Sequence, residues 1–291
     1  MNTHWSRTLT TMEDKNNGGI TLQSTRSKLE IESGSSAESI ASPGEPENRR
    51  RRKTGWAAQR VFVTAVDLIN HALIILVTSY LVYVASDRYS VTNVHIILCT
   101  IGYILLMSEA ILVLAGENIL TSAFSRRANK NIHWVLQVLG LICNLVGVGI
   151  MYNAKSAHFL SVHGILGFSS LVIVFVLAIF GYPVLIAVKL RKFVRPVVVK
   201  LVHNFLGIAC FVLGMLAQCT GYQKRLIYRA TQIENIDTAL FVLTVVIMLL
   251  SLRGALFSLA SQTLALVRSI CPAVSSYTDV VDASSSTFGK S

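Results

Sequence analysis

The chain has 291 residues, of which 53% are hydrophobic and only 14% charged, against about 25% charged in soluble domains; its mean hydropathy is +0.57. These values exclude an ordinary soluble enzyme, a disordered protein and a disulfide scaffold. The net charge of +11 reads as the cationic bias of cytoplasmic loops in a membrane protein, and no nucleic-acid partner is expected.

Residues 1–55 are rich in Ser, Glu, Gly and Asn, with almost no aromatics. Such a segment buries too little apolar surface to offset its ordering entropy, so a disordered cytoplasmic tail is expected. It lacks the apolar stretch and cleavage site of a secretory signal. The run Arg49-Arg50-Arg51-Arg52-Lys53 lies beside the first apolar segment. There it reads as a topology determinant touching anionic lipid rather than a nuclear signal. Residues 56–262 form the expected transmembrane domain, and 263–291 a second cytoplasmic tail.

About 20 mostly apolar residues cross a bilayer as a helix. Six stretches qualify, at about Val61–Ala85, Val94–Ala115, Ile132–Tyr152, His163–Ala187, Val199–Gly221 and Ala239–Ser261. Arg126, Arg127 and Lys130 lie between the second and third, and Lys189, Arg191, Lys192, Arg195 and Lys200 between the fourth and fifth. The opposite loops are poorer in net positive charge, which places both termini in the cytoplasm. Arg253, near the cytoplasmic end of the sixth span, has a side chain long enough to snorkel to the interface. Cys99, Cys143, Cys210 and Cys219 fall inside spans and Cys271 in the tail; their spacing gives small packing residues and no disulfide framework.

Ionisable groups inside spans are costly and mark function. His95, His133, His163 and His203 each open one of spans two to five, each after a β-branched residue. Glycines follow on the same helical face: Gly102 and Gly140 seven residues on, Gly167 and Gly207 four residues on. Each of these spans therefore presents a histidine above a notch suited to a large flat ligand. Antiparallel threading sends His95 and His163 to the non-cytoplasmic face and His133 and His203 to the cytoplasmic face. Paired imidazoles from facing helices suit six-coordinate haem iron, whereas zinc requires further ligands to close a tetrahedron. The reading is therefore an all-α membrane protein whose two histidine pairs hold two haems, one near each membrane face.

The segments VHIILCTIGYILLMSEAIL, SRRANKNIHWVLQVLG, AHFLSVHGILGF and KLVHNFLGIACFVLG resemble the cytochrome b561 family of ascorbate-reducible di-haem membrane cytochromes. They are most similar to its short animal members. The resemblance covers about Val61 to Gln262. It implies six helices, the central four-helix bundle holding two haems b on the histidine pairs above, cytosolic ascorbate as donor, and monodehydroascorbate radical or a ferric chelate as acceptor on the other side. That activity is an ascorbate-dependent transmembrane oxidoreductase. An endomembrane, endoplasmic reticulum or vesicle, is expected rather than the plasma membrane, and a homodimer is left open.

An anionic substrate needs cations near a haem edge. Lys130, three residues before His133, with Arg126 and Arg127 behind it, is the expected donor site by similarity to members with basic residues there. The family stretch Ala-Leu-Leu-Val-Tyr-Arg is Ala-Ile-Leu-Val-Leu-Ala here, at Ala110–Ala115. On the opposite side, His158-Phe159-Leu160-Ser161-Val162-His163 resembles the family pattern His-x-x-Ser-x-His, which marks His158 as an acceptor contact; the Ser-Trp that usually follows is Gly164-Ile165. Asp67 and His71, four apart on span one, share a face and are read as a structural pair. Glu109, fourteen residues into span two, is a candidate acceptor of a hydrogen bond from a ligand imidazole or a charge that tunes the haem potential, the alternative being a protonated packing residue. The rival function is a haemless metal-ion transporter using the histidine pairs as entry and exit sites. Transporters break helices near the midplane, however, and no proline does so here.

Overall fold

The computed structural model describes residues 45–114, 123–185 and 195–270, with backbone alone at 45–58 and 182–185. The expectations for residues 1–44, for Lys189, Arg191 and Lys192, and for Cys271 lie outside the described residues. Arg49–Ser291 forms one compact unit; of the other, Met1–Asn48, only the start of the first helix is described.

The described residues are helical, without a strand. We number the helices α1 (Glu45–Ser86), α2 (Val91–Leu112), α3 (Arg126–Ala154), α4 (Val162–Leu185), α5 (Pro196–Tyr222), α6 (Leu226–Thr231) and α7 (Ile236–Ile270). All but α6 are long and apolar enough to cross a membrane, the architecture of an integral multi-pass protein. Large apolar side chains such as Phe62, Ile69, Leu76, Phe180 and Phe257 point outward. Lipid solvates such a surface, whereas the backbone must satisfy its own polar groups, which helices do.

Two boundaries move. Helix α1 begins at Glu45, so that it takes in the last eleven residues of the tail expected to be disordered; Pro46 suits a first turn, and the Arg, Lys, Ala and Gln that follow are good helix formers. Helix α7 runs to Ile270, past the tail boundary expected at 263. The short helix α6 is absent from the span pattern. Arg225 and Gln232 at its two ends, and Asn235 beyond, are left-handed, which turns the chain into and out of it.

Helices α2, α3, α4 and α5 pack in a closed ring, each against the next and α5 back onto α2. Helix α7 packs on α5 and on the last turns of α2. Helix α1 contributes Ile74, Val77 and Leu81 to the buried core. It is tied to α7 by Asn70 Nδ2, which donates to Ser251 Oγ at 3.0 Å, and by Arg253, which donates to Asp67 at 2.5 Å. Arg253 therefore reaches a buried carboxylate on α1 while its side chain stays 38% exposed. Asp67 and His71 share a face as their spacing requires, yet Asp67 reaches α7 and His71 reaches α2.

Helix α2 departs from α-helical geometry in its middle, where Thr100–Met107 are π-helical. Ser108 Oγ donates to the Tyr103 carbonyl five residues back, at 3.3 Å. In this stretch the Tyr103 ring packs over Gly214 of α5, where a Cβ would collide with it. The Tyr103 hydroxyl donates to Ser170 Oγ of α4 at 2.8 Å, which donates on to the Cys210 carbonyl of α5 at 2.7 Å. Interhelical hydrogen bonds in membranes contribute only about 0.6 kcal/mol each, so this chain fixes helix rotation more than it stabilises. The four described span cysteines are free thiols, three of them buried, as packing residues should be.

Candidate functional site

The first turns of α2 and α4 bring His95 and His163 together, with ring centroids 6.0 Å apart and planes at 83°. Two metal–imidazole bonds of about 2.0–2.1 Å laid end to end between rings require a centroid separation of roughly 6 Å, so this gap admits one metal ion. At the other end of the bundle, His133 of α3 and His203 of α5 are electrostatic neighbours. Among the described residues no three His, Cys, Asp or Glu side chains converge, so neither pair carries the further protein ligands that a tetrahedral zinc site takes.

Backbone carbonyls fix the tautomer of three of the four rings. His95 Nδ1–H donates to the Gly147 carbonyl of α3 at 2.8 Å. His163 Nδ1–H donates to the Ala217 carbonyl of α5 at 2.8 Å, and His133 Nδ1–H to the Ala110 carbonyl of α2 at 2.7 Å. A carbonyl only accepts, so in each neutral ring Nδ1 holds the proton and Nε2 keeps its lone pair for a metal. Each ring is thus aimed by the neighbouring helix, beyond its own rotamer preference. His203 differs: its Nδ1 is buried with no hydrogen-bond partner, while the adjacent Asn204 anchors α5 by donating to the Ala255 carbonyl of α7 at 3.2 Å.

The glycines divide into two kinds. Gly102 is filled by the side chain of Asn144, and a Cβ on Gly140 would meet the Gly102 carbonyl and Met107, both at 3.2 Å. These two let α2 and α3 approach closely and leave no notch for a ligand. Gly207 faces open space, and Gly167 has only the Ala217 methyl at 3.7 Å; on α4 and α5 the expected space exists. Gly221, not singled out by spacing, backs the His163 ring, where a Cβ would lie 3.2 Å from Cε1. Glu109 takes no imidazole from the four histidines; it accepts from His71 Nδ1–H at 2.8 Å.

Arg126, Arg127 and Lys130 are exposed in the first turns of α3, at the His133 end. Cations there oppose the positive end of the helix dipole, so they are not placed for the helix's sake. Lys200, exposed and three residues before His203, repeats the Lys130–His133 spacing, a repeat visible in the sequence itself. At the opposite end, the charges of Lys155 and Lys224 bear on both His95 and His163. His158 stacks on Tyr152 at 3.9 Å and 10° in the loop between α3 and α4. Phe159, left-handed at φ 58°, turns that loop and packs on Phe168 at 4.7 Å.

Residues 94–229 match the profile of the family described as eukaryotic cytochrome b561. This segment, a little under half of the chain, is similar to the cytochrome b561 family. All four paired histidines lie inside the matched segment, and the family is one of haem b proteins. Human "Transmembrane reductase CYB561D2" is 32% identical over 109 residues, 36% of this chain and 49% of the human protein. Rice (Oryza sativa subsp. japonica) "Probable ascorbate-specific transmembrane electron transporter 1" is 24% identical over 180 residues, 60% of this chain and 75% of the rice protein. Human "Probable transmembrane reductase CYB561D1" is 26% identical over 131 residues, 44% of this chain and 53% of that protein. The chain spans about half the length of the CYB561D2 reductases it matches. Within the matched segment, three of the four imidazoles hold the Nδ1–H tautomer that leaves Nε2 its lone pair.

Proposed function

We propose that this chain is an ascorbate-dependent transmembrane oxidoreductase that uses two haems b to carry electrons from cytosolic ascorbate to monodehydroascorbate radical or a ferric chelate on the opposite side. The single observation that carries this reading is the set of Nδ1–H bonds to backbone carbonyls on three histidines, joined to the 6.0 Å gap between His95 and His163. His95 and His163 would hold one haem and His133 and His203 the other. Bound there, the haems supply the one-electron chemistry; the chain supplies orientation, charge and exclusion of water.

Each residue has a defined task. The carbonyls of Gly147, Ala217 and Ala110 hold the imidazoles in the ligating tautomer and raise their basicity. Lys130 and Lys200, flanked by Arg126 and Arg127, attract the ascorbate anion to the cytoplasmic end. Lys155, Lys224 and His158 do the same for an anionic acceptor at the far end. The apolar helix faces keep water from the buried rings. Residues 56–262 are the functional unit, with both termini cytoplasmic and the protein in an endomembrane. The rival, a histidine-based metal transporter, draws no support from the described residues, since neither pair gathers a third protein ligand.

The test is optical. Purified protein should show haem b bands that ascorbate sharpens and intensifies, with two haems per chain. His95→Ala should remove one of the two components and leave the other spectrally intact. A colourless protein loaded stoichiometrically with zinc would overturn the proposal.

A further inference from the structure

Polar contacts join the outer helices to the bundle at its His133/His203 end. Asp67 and Asn70 of α1 bind Arg253 and Ser251 of α7. Near them on α1, His71 reaches across to α2, where its Nδ1–H donates to Glu109 Oε1 at 2.8 Å. Both side chains are sheltered, at 8% and 20% exposure. The next residue after Glu109 is Ala110, whose carbonyl is the acceptor that aims His133 at 2.7 Å. One short piece of α2 therefore has its side chain anchored to α1 and its backbone bonded to a ligand imidazole. That piece directly follows the π-helical stretch Thr100–Met107, where the chain has left regular α-helical geometry and its register depends on outside contacts.

We infer that the His71–Glu109 pair is a positioning device that sets the reduction potential of the haem held by His133 and His203. This rests on the two-haem reading above. Two physical effects act in one direction. A carboxylate in a sheltered, poorly screened site favours the more positive, oxidised state of a nearby iron. Firm acceptance of the His133 proton by the Ala110 carbonyl makes the imidazole more electron-donating, which also favours the oxidised state. Helix α1, outside the four-helix ring, thereby tunes one haem of the two. Among the described residues the His95/His163 pair shows no such coupling: these rings bond to Gly147 and Ala217, and no hydrogen bond ties a neighbour of either carbonyl to α1.

The experiment is a potentiometric titration of the purified, haem-loaded full chain, followed in the visible bands. The cytoplasmic component is the one lost in His203→Ala. Glu109→Gln keeps the shape and removes the charge. It should raise that component's midpoint by about tenfold in its reduction equilibrium constant, about 59 mV for one electron, and leave the other unmoved. His71→Asn should displace the same component alone, and it serves as the comparison if Glu109→Gln fails to accumulate. Midpoints that stay put, or that move together, would overturn the inference while leaving two haems in place. A wild-type protein with fewer than two haem components would instead overturn the functional reading itself.

Discussion

Arg253 on α7 donates to the carboxylate of Asp67 on α1 at 2.5 Å, although 186 positions separate them in the chain. The carboxylate side chain is 2% exposed and the guanidinium 38%, so the pair is buried on one side and wet on the other. Charged hydrogen bonds of this kind contribute about 1.5–3 kcal/mol. Arg253→Leu should cost at least that much, because it strands a buried carboxylate, whereas Asp67→Asn should cost less. The melting temperatures of the two variants in detergent should differ in that order. Equal melting temperatures in both variants and wild type would show that the pair does not brace α1.

Gly207 and Gly214 lie on one helix seven residues apart but face different surroundings. A Cβ on Gly214 runs into the Tyr103 ring, and overpacking of this kind costs about 1–3 kcal/mol; Gly214→Ala should lower the melting temperature of the protein whether or not haem is bound. Gly207 faces empty space one turn beyond His203. Gly207→Leu should leave the helical content of the apoprotein unchanged while reducing haem uptake at the His133/His203 end severalfold. Normal haem content in Gly207→Leu would mean that this space is not the one the haem occupies.

Lys130 and Lys200 precede their histidines by the same three residues and are exposed at the same end of the bundle. Replacing either with Ala should raise the ascorbate concentration needed for half-reduction by roughly threefold, with the effect shrinking as salt rises. The haem spectrum should not change. Ascorbate titrations at low and high ionic strength check this, and curves that superimpose on wild type would take both lysines out of the donor site.

His158 stacks on Tyr152 above the His95/His163 end. On the proposed function, His158→Ala should slow the reduction of an anionic ferric chelate severalfold without altering the ascorbate titration, because the proposed donor site lies at the other end of the bundle. Measured in reconstituted vesicles, equal slowing of both half-reactions would point to a disturbed fold rather than a lost contact.

The six spans and the two histidine pairs were legible because each rests on a local or parity rule. Apolar length alone identifies a span, and alternate threading alone decides which span ends share a face. His95 meeting His163 follows from that parity, with no knowledge of helix rotation. The Lys200–His203 repeat was equally legible, since it needs only spacing. Helix α1 starting at Glu45 was hidden by composition: a run rich in Arg and Lys looks disordered by charge but propagates well as a helix once a neighbouring apolar segment supplies the nucleus.

Apolar segment length and the order of histidines along the chain thus determined the six-helix architecture and the pairing of its imidazoles. Only the packed molecule decided how each helix turns about its own axis. That rotation gives Asp67 to Arg253, gives His71 to Glu109, and closes Gly102 with Asn144 while leaving Gly207 open. It also sets three carbonyls against three Nδ1–H groups, because a carbonyl on one helix meets a ring on another only at a single rotation of both.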